Sequence, residues 1–333
     1  MSFFCDTIVA WYLKSARDLP WRNDISPYKT WVSEIILQQT RIEQGLPYYL
    51  KFIDKFRDVN SLANAKEDEV LSLWQGLGYY TRARNMHKCA RKVVEDYGAI
   101  FPKNYNDLLK LPGIGKYTAA AIASICYGEQ VAVVDGNVQR FVARFLGITD
   151  PVNTKIGAVA IENFVNEEIK DSNPSIFNQA MMEMGALVCK PANPLCSSCV
   201  LNEHCYALRN KQTDVLPVKI NKVKVRTRYL NYFIVQNGDK VLLTKRKVND
   251  VWASLHEFPL IESTKSMDYK GAELLGTFKH LLTHQKIYAQ LWKVFRNDDL
   301  IYENTSIFEV KIEHLENYPV HQLMKKMIQI WQE

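Results

Sequence analysis

At 333 residues the chain is too long for one ordinary hydrophobic core and long enough for two. A hydrophobic share of 47% against 23% charged residues excludes a disordered polymer, and a net charge of +6 permits a nucleic-acid partner without demanding one. No apolar run approaches the roughly 18 residues of a membrane helix, and Asp6, Lys14 and Arg17 interrupt the amino terminus before a signal peptide can form, so a cytoplasmic or nucleoid-associated, intracellular protein is expected.

From Asp6 to about Met184 apolar residues recur at three and four positions, the period of α-helix. Trp31, Ile35 and Ile36 begin one stripe, and Leu71 and Trp74 belong to another. Glu34 lies among Val32, Ile35 and Ile36, surroundings that would desolvate its carboxylate and raise its pKa, although a helix Glu is usually a surface residue. Asn106-Asp107 before Leu108-Leu109 resembles a helix start, which Pro112-Gly113 ends. Gly113 and Gly115 then stand between that helix and an alanine-rich one opening at Lys116. Glycines let backbone come close to a partner, and N–H groups at a helix start suit phosphate; a plain helix-turn-helix connection fits the spacing equally well. Asp135 follows the apolar run Val131 to Val134 and precedes Gly136, the pattern of a helix N-cap, and a cap can also be a functional carboxylate.

Cys5, Cys89 and Cys126 lie apart and read as packing residues. Cys189, Cys196, Cys199 and Cys205 follow C-x6-C-x2-C-x5-C, with Pro191, Pro194 and Ser197 suited to a tight loop. Four thiolates so close point to a metal centre in a reducing compartment, but their count does not separate zinc from iron and sulfur. Residues 211–228, with Lys219, Lys222, Lys224, Arg226 and Arg228, read as a solvated basic linker. Tyr229 to Val235 and Lys240 to Thr244 are β-rich runs joined through Asn237-Gly238, a hairpin signal. The expected division is therefore 1–210, a linker at 211–228, and a second, β-containing domain at 229–333.

Four ordered blocks, Trp31 to Thr40, Gly76 to Asn85, Leu111 to Ile122 and Val134 to Arg140, together with the cysteine spacing, resemble the MutY-type adenine DNA glycosylases of the helix-hairpin-helix superfamily. The resemblance covers about the first 210 residues. It implies a mainly α helix-hairpin-helix glycosylase with a [4Fe-4S] cluster loop at 189–205, followed by an α+β MutT-like (Nudix-like) domain. Cleaving an N-glycosidic bond needs a proton for the departing base and an anion for the oxocarbenium-like sugar. The family's general acid falls on Glu34 and its sugar-stabilising carboxylate on Asp135, with Asn137 beside it. Tyr117 occupies the slot where endonuclease III-type enzymes carry a lysine nucleophile, so a monofunctional glycosylase is expected. Gly113, Gly115 and Lys116 match the DNA-holding hairpin, and Gln39 and Tyr79 match wedge residues at the lesion. Leu19, Trp21, Arg22 and Gln179 match the adenine pocket, and Cys189, Cys196, Cys199 and Cys205 the cluster ligands, with Lys190, Arg209 and Lys211 offering positive charge nearby.

Beyond Arg228 the hairpin, Trp252 to Pro259 and Phe278 to His284 look similar to the MutT-like domain that reads 8-oxoguanine. The segment around Gly271 to Gly276 lacks the Arg- and Glu-dense helix of a nucleotide-diphosphate hydrolase, so a reader without that activity is expected. Many relatives carry Phe-Ser-His where this chain has Leu282-Thr283-His284; Thr283 keeps a hydroxyl for the oxidised guanine and Leu282 loses the ring. His280 and His284 also read as ordinary β-surface residues. The expected partner is duplex DNA with A:8-oxoguanine or A:G mispairs, bound by a monomer. Two alternatives stay open: a bifunctional endonuclease III-type lyase, and a non-catalytic DNA-damage-binding scaffold.

Overall fold

A computed structural model describes residues 2–170, 172–220, 225–247, 250–295 and 307–333. The chain forms two compact units, one of Met1–Glu43, Phe56–Asn60 and Lys88–Asn221, the other of Gln44–Lys55, Ser61–His87 and Lys222–Glu333. These units are drawn from contacts, and their limits differ from the boundaries expected at residues 210 and 229. Polar bonds join residues 61–87 to the carboxy-terminal region: Gln75 Nε2 donates to the Val320 carbonyl at 2.9 Å, Lys245 pairs with Asp68 at 2.8 Å, and Arg84 donates to the Ala253 carbonyl; Tyr48 of residues 44–55 donates in turn to the Gln75 carbonyl at 3.1 Å.

The first unit is helical, as the periodicity predicts. Its helices start where side chains satisfy orphan N–H groups. Ser26 caps Pro27–Leu37 by accepting from the Lys29 N–H, with Pro27 at the first helical position. Asp135 caps Gly136–Leu146, and Asn173 caps Pro174–Leu187. The short helix Tyr105–Leu108 is capped by Asn104, two residues earlier than the Asn106-Asp107 start expected, because the Asn104 side chain reaches the Asp107 N–H. Phe4, Ile8, Phe141, Phe177, Met181 and Met184 share one core. The Phe4 ring lies 4.8 Å from Phe145 and 4.9 Å from Phe164, and burying the Phe4 ring contributes about 1.5–3 kcal/mol. Trp31, Ile35 and Ile36 are buried, and Ala119 to Ala123 are buried all round helix Lys116–Tyr127.

The second unit contains a mixed sheet ordered β3-β2-β1-β6-β5, with β4 on β1 and β7 on β2. Its strands are β1 (Arg226–Asn237), β2 (Lys240–Lys245), β3 (His256–Glu257), β4 (Leu260–Ser263), β5 (Ala272–Leu281), β6 (Gln285–Val294) and β7 (Ile307–Lys311). β1 runs parallel to β6 from Arg226↔Gln285 to Val235↔Val294, and turns at Gly238 into antiparallel β2 through Asn237↔Lys240, as the Asn-Gly signal predicts. Helix Gln322–Gln332 follows, and its Met324 and Met327 are fully buried.

One reading of the sequence needs correction here. Arg226 and Arg228 belong to β1 rather than to a solvated linker, and Arg228 is only 5% exposed, held by Asp250 and Glu262 at 2.6–2.8 Å. Earlier in the stretch, Ile220 exchanges hydrogen bonds with the Asn153 side chain, while Lys222 and Lys224 lie outside the described residues. Cys5 and Cys89 are fully buried, as expected, and Cys126 donates to the Thr30 hydroxyl at 3.3 Å. Among the described residues no helix is long and apolar enough to cross a membrane.

Candidate active site

Helix Pro27–Leu37 packs its apolar stripe inward and presents Glu34 beside that stripe, where the Tyr117 hydroxyl donates to its Oε2 at 2.5 Å. Burial lifts the Glu34 carboxyl to about pH 7, against the lowering effect of the Tyr117 bond, and the negative charge of Asp135 adds to the rise. Tyr117 stays a protonated donor, since burial and then the Glu34 and Asp135 charges hold its pKa well above the usual phenol range. Asp135 is half-buried at its helix N-terminus, Oδ1 accepting from the Val138 N–H at 2.7 Å and Oδ2 from Asn137 Nδ2 at 2.7 Å. Burial raises its pKa over those two anion-favouring bonds. Glu34, Tyr117, Asp135 and Asn137 are thus brought together, with one carboxyl that can give and take a proton at neutral pH and a second held in place by donors.

Asn137 is fixed in turn. Its Oδ1 accepts from Arg140 Nη2 at 2.9 Å, and Arg140 also donates to the carbonyls of Gly185 and Cys189 at 2.8 and 2.7 Å. A side chain at position 185 would press into Asn137, its Cβ falling 2.7 Å from Asn137 atoms, so only glycine lets these helices approach so closely.

The residues matched to an adenine pocket cluster on a salt-bridge clamp that the sequence reading missed. Glu183, 1% exposed, accepts from Arg17 Nε and Nη2 at 2.8 Å and from Arg22 Nη2 at 2.8 Å. Burial alone would raise its pKa; the Arg17 and then the Arg22 bonds outweigh that and hold it at about 2. Arg22 lies over the Tyr12 ring at 5.4 Å, and the Tyr12 hydroxyl donates to Gln179 Oε1 at 3.2 Å. Leu19 and Trp21, both buried, flank Arg22 on the same short turn. The available signal was Glu183 itself, a lone charge in the apolar run Ala180 to Gly185.

Gly113, at φ +76, turns the chain after the buried Leu111, and Ile114 anchors the loop inside. Gly115 caps Lys116–Tyr127, nothing lies within 4 Å of where its Cβ would be, and Lys116 beside it is exposed. Gln39 is exposed at φ +57 just past helix Pro27–Leu37.

The thiols of Cys189, Cys196, Cys199 and Cys205 line one hollow with Phe141, Arg144 and Leu201. Arg144 reaches the Cys189 thiol at 3.5 Å and ties the loop through the carbonyls of Lys190 at 2.7 Å and Pro191 at 3.1 Å. Among the described residues no three His, Cys, Asp or Glu side chains gather as ligands of a single ion.

In the second unit Tyr79, at φ +49, and Thr283 line a hollow of about 510 Å³ with Arg84, Trp252, His284 and Gln322. Thr283 and His284 are exposed in the turn joining β5 to β6, past the last β5 residue. His280 stays within β5, against the Trp252 ring at 5.4 Å. The segment Gly271 to Gly276 enters β5 as extended strand.

Residues 32–162 match the model of the HhH-GPD superfamily base excision DNA repair proteins, and residues 231–329 match a NUDIX domain. The chain is 36% identical over 319 residues to an adenine DNA glycosylase of Buchnera aphidicola, covering 91% of this chain and 89% of that one. It is 42% identical over 362 residues to an adenine DNA glycosylase of Mus musculus, covering 87% and 70%. Among solved structures it is similar to a thermostable thymine-DNA glycosylase, with a TM-score of 0.57 and 29% identity over 62% of this chain and 95% of that one.

Proposed function

This chain belongs to the adenine DNA glycosylases, base-excision enzymes that hydrolyse N-glycosyl bonds in DNA, and we propose that it removes adenine mispaired with 8-oxoguanine or guanine. The observation that carries this reading is the carboxyl of Glu34, lifted to about pH 7 and touching Tyr117 where a lyase would need a lysine. An acid so poised protonates the leaving purine, which weakens the bond from C1′ to the base nitrogen. Asp135, whose anionic form the Val138 and Asn137 donors favour, shelters the cationic sugar. Water then adds to C1′ and returns a proton to Glu34. With Tyr117 unable to form a Schiff base, the product is an intact abasic strand.

A base within a duplex is out of reach, so the adenine is extruded, a step for which Gln39 and Tyr79 each match the family's wedge residues. Leu19, Trp21, Arg22 and Gln179 surround it, the last two oriented by Glu183 and Tyr12. Gly113, Gly115 and Lys116 hold backbone phosphate. Cys189, Cys196, Cys199 and Cys205 fit a [4Fe-4S] cluster: four thiols line one hollow, and Arg144 reaches the Cys189 thiol to offset thiolate charge. Such a group supplies a structural crosslink here and no hydrolytic step. Thr283 and His284 of the second unit read the base opposite the adenine.

The test is a single-turnover excision assay on duplexes holding one A:8-oxoguanine pair. Strand breaks that appear only after alkali, with no borohydride-trapped adduct, are expected. Adenine left in place would overturn the reading.

A further inference from the structure

Tyr12 of helix Phe3–Ser15 and Gln179 of helix Pro174–Leu187 meet inside the first unit, and both are buried. Two partners fix the Gln179 amide. Its Nε2 donates to the Ser175 backbone carbonyl at 3.2 Å and to the Ser175 hydroxyl at 3.3 Å, one turn back on the same helix, while its Oε1 accepts from the Tyr12 hydroxyl at 3.2 Å. A backbone carbonyl has no proton to give, so the end of the amide that meets Ser175 must be the NH2. The other end is then the oxygen, and Tyr12 is the donor. Burial, against the lowering effect of Arg22, raises the Tyr12 pKa and keeps that proton in place. The Arg22 guanidinium lies over the ring at 5.4 Å, so the phenol is held at its face as well as at its hydroxyl.

An amide oxygen has two lone pairs, and Tyr12 occupies one. The second can accept a hydrogen bond and cannot give one. Adenine carries an amino group at its 6 position, whereas guanine and hypoxanthine carry an oxygen there, which an amide oxygen repels. An amide free to turn would serve either class by exchanging its oxygen for its NH2. Resting on the proposal that Gln179 faces the extruded base, we infer that Tyr12 is a positioning residue whose hydroxyl locks the Gln179 oxygen towards the 6-amino group and so selects adenine over 6-oxopurines.

Tyr12→Phe keeps the ring beneath Arg22 and removes only the hydroxyl. Single-turnover rates are measured for wild type, Tyr12→Phe, Gln179→Leu and the double variant, with adenine, hypoxanthine or unsubstituted purine placed opposite 8-oxoguanine. In Tyr12→Phe the rate on adenine falls by about tenfold relative to purine, the worth of one buried hydrogen bond left unmade, because purine has no 6-substituent to read. The rate on hypoxanthine does not fall, and the double variant loses no more than Gln179→Leu alone. Equal losses on adenine and purine, as a packing defect would give, overturn the inference. So do an unchanged rate on adenine and single losses that multiply in the double variant. Failure of the reading beneath looks different: Gln179→Leu would then leave the adenine-to-purine ratio unchanged, or wild type would leave adenine in place.

Discussion

Glu34 and Glu183 are both helix carboxylates withdrawn from water in the first unit, yet their pKa values move in opposite directions, to about 7 and about 2. Burial acts on both in the same sense. What differs is the company: Glu183 is gripped by two guanidinium groups, while Glu34 has one neutral phenol and a neighbouring anion. A buried carboxyl without a cation bound to it holds its proton to neutral pH, and one with two cations is a fixed charge. The same fold therefore places an acid–base group beside a rigid anchor.

The hardest test of this contrast is Glu34→Gln. Loss of the transferable proton should slow excision by about a thousandfold, with duplex binding by fluorescence anisotropy retained; near-normal excision would remove Glu34 from the chemistry. Next in size is Glu183→Ala. Stranding Arg17 and Arg22 should lower unfolding stability by about 3 kcal/mol, at the low end for a broken buried pair because water still reaches Arg17. Chemical denaturation checks this, and an unchanged midpoint would show that the clamp carries no stability.

Asp135→Asn should slow excision by about a hundredfold while leaving stability within about 0.5 kcal/mol, because asparagine caps a helix as well as aspartate does. Asp135→Ala should lose the cap as well, about 1 kcal/mol in the same denaturation experiment. The smallest effect is on pH. Excision should fall about tenfold per unit above pH 7 as Glu34 deprotonates. Tyr117→Phe should move that limb to higher pH, since the lost hydrogen bond favoured the anion.

Stability follows with opposite signs for the two groups. The unfolded chain ionises Glu34 near pH 4.5 while the folded chain keeps the proton to about 7, so this group costs increasing stability as pH rises across that window. Glu183 contributes in full above its unfolded value of 4.5 and loses that contribution as pH falls towards 2.

The helices of the first unit, the Asn237-Gly238 hairpin and the four clustered cysteines were legible because period, turn chemistry and spacing are local properties of the chain. Glu34, Asp135 and Tyr117 were legible as separate positions in motifs. Three-dimensional packing alone brought Tyr117 onto Glu34 across 83 positions and Arg17 onto Glu183 across 166, and it moved residues 44–55 and 61–87 into the unit of the carboxy-terminal sheet. It also turned Arg228 from an expected linker charge into a buried one. Charge state depends on desolvation and on partners distant in sequence, and neither exists until the chain has folded.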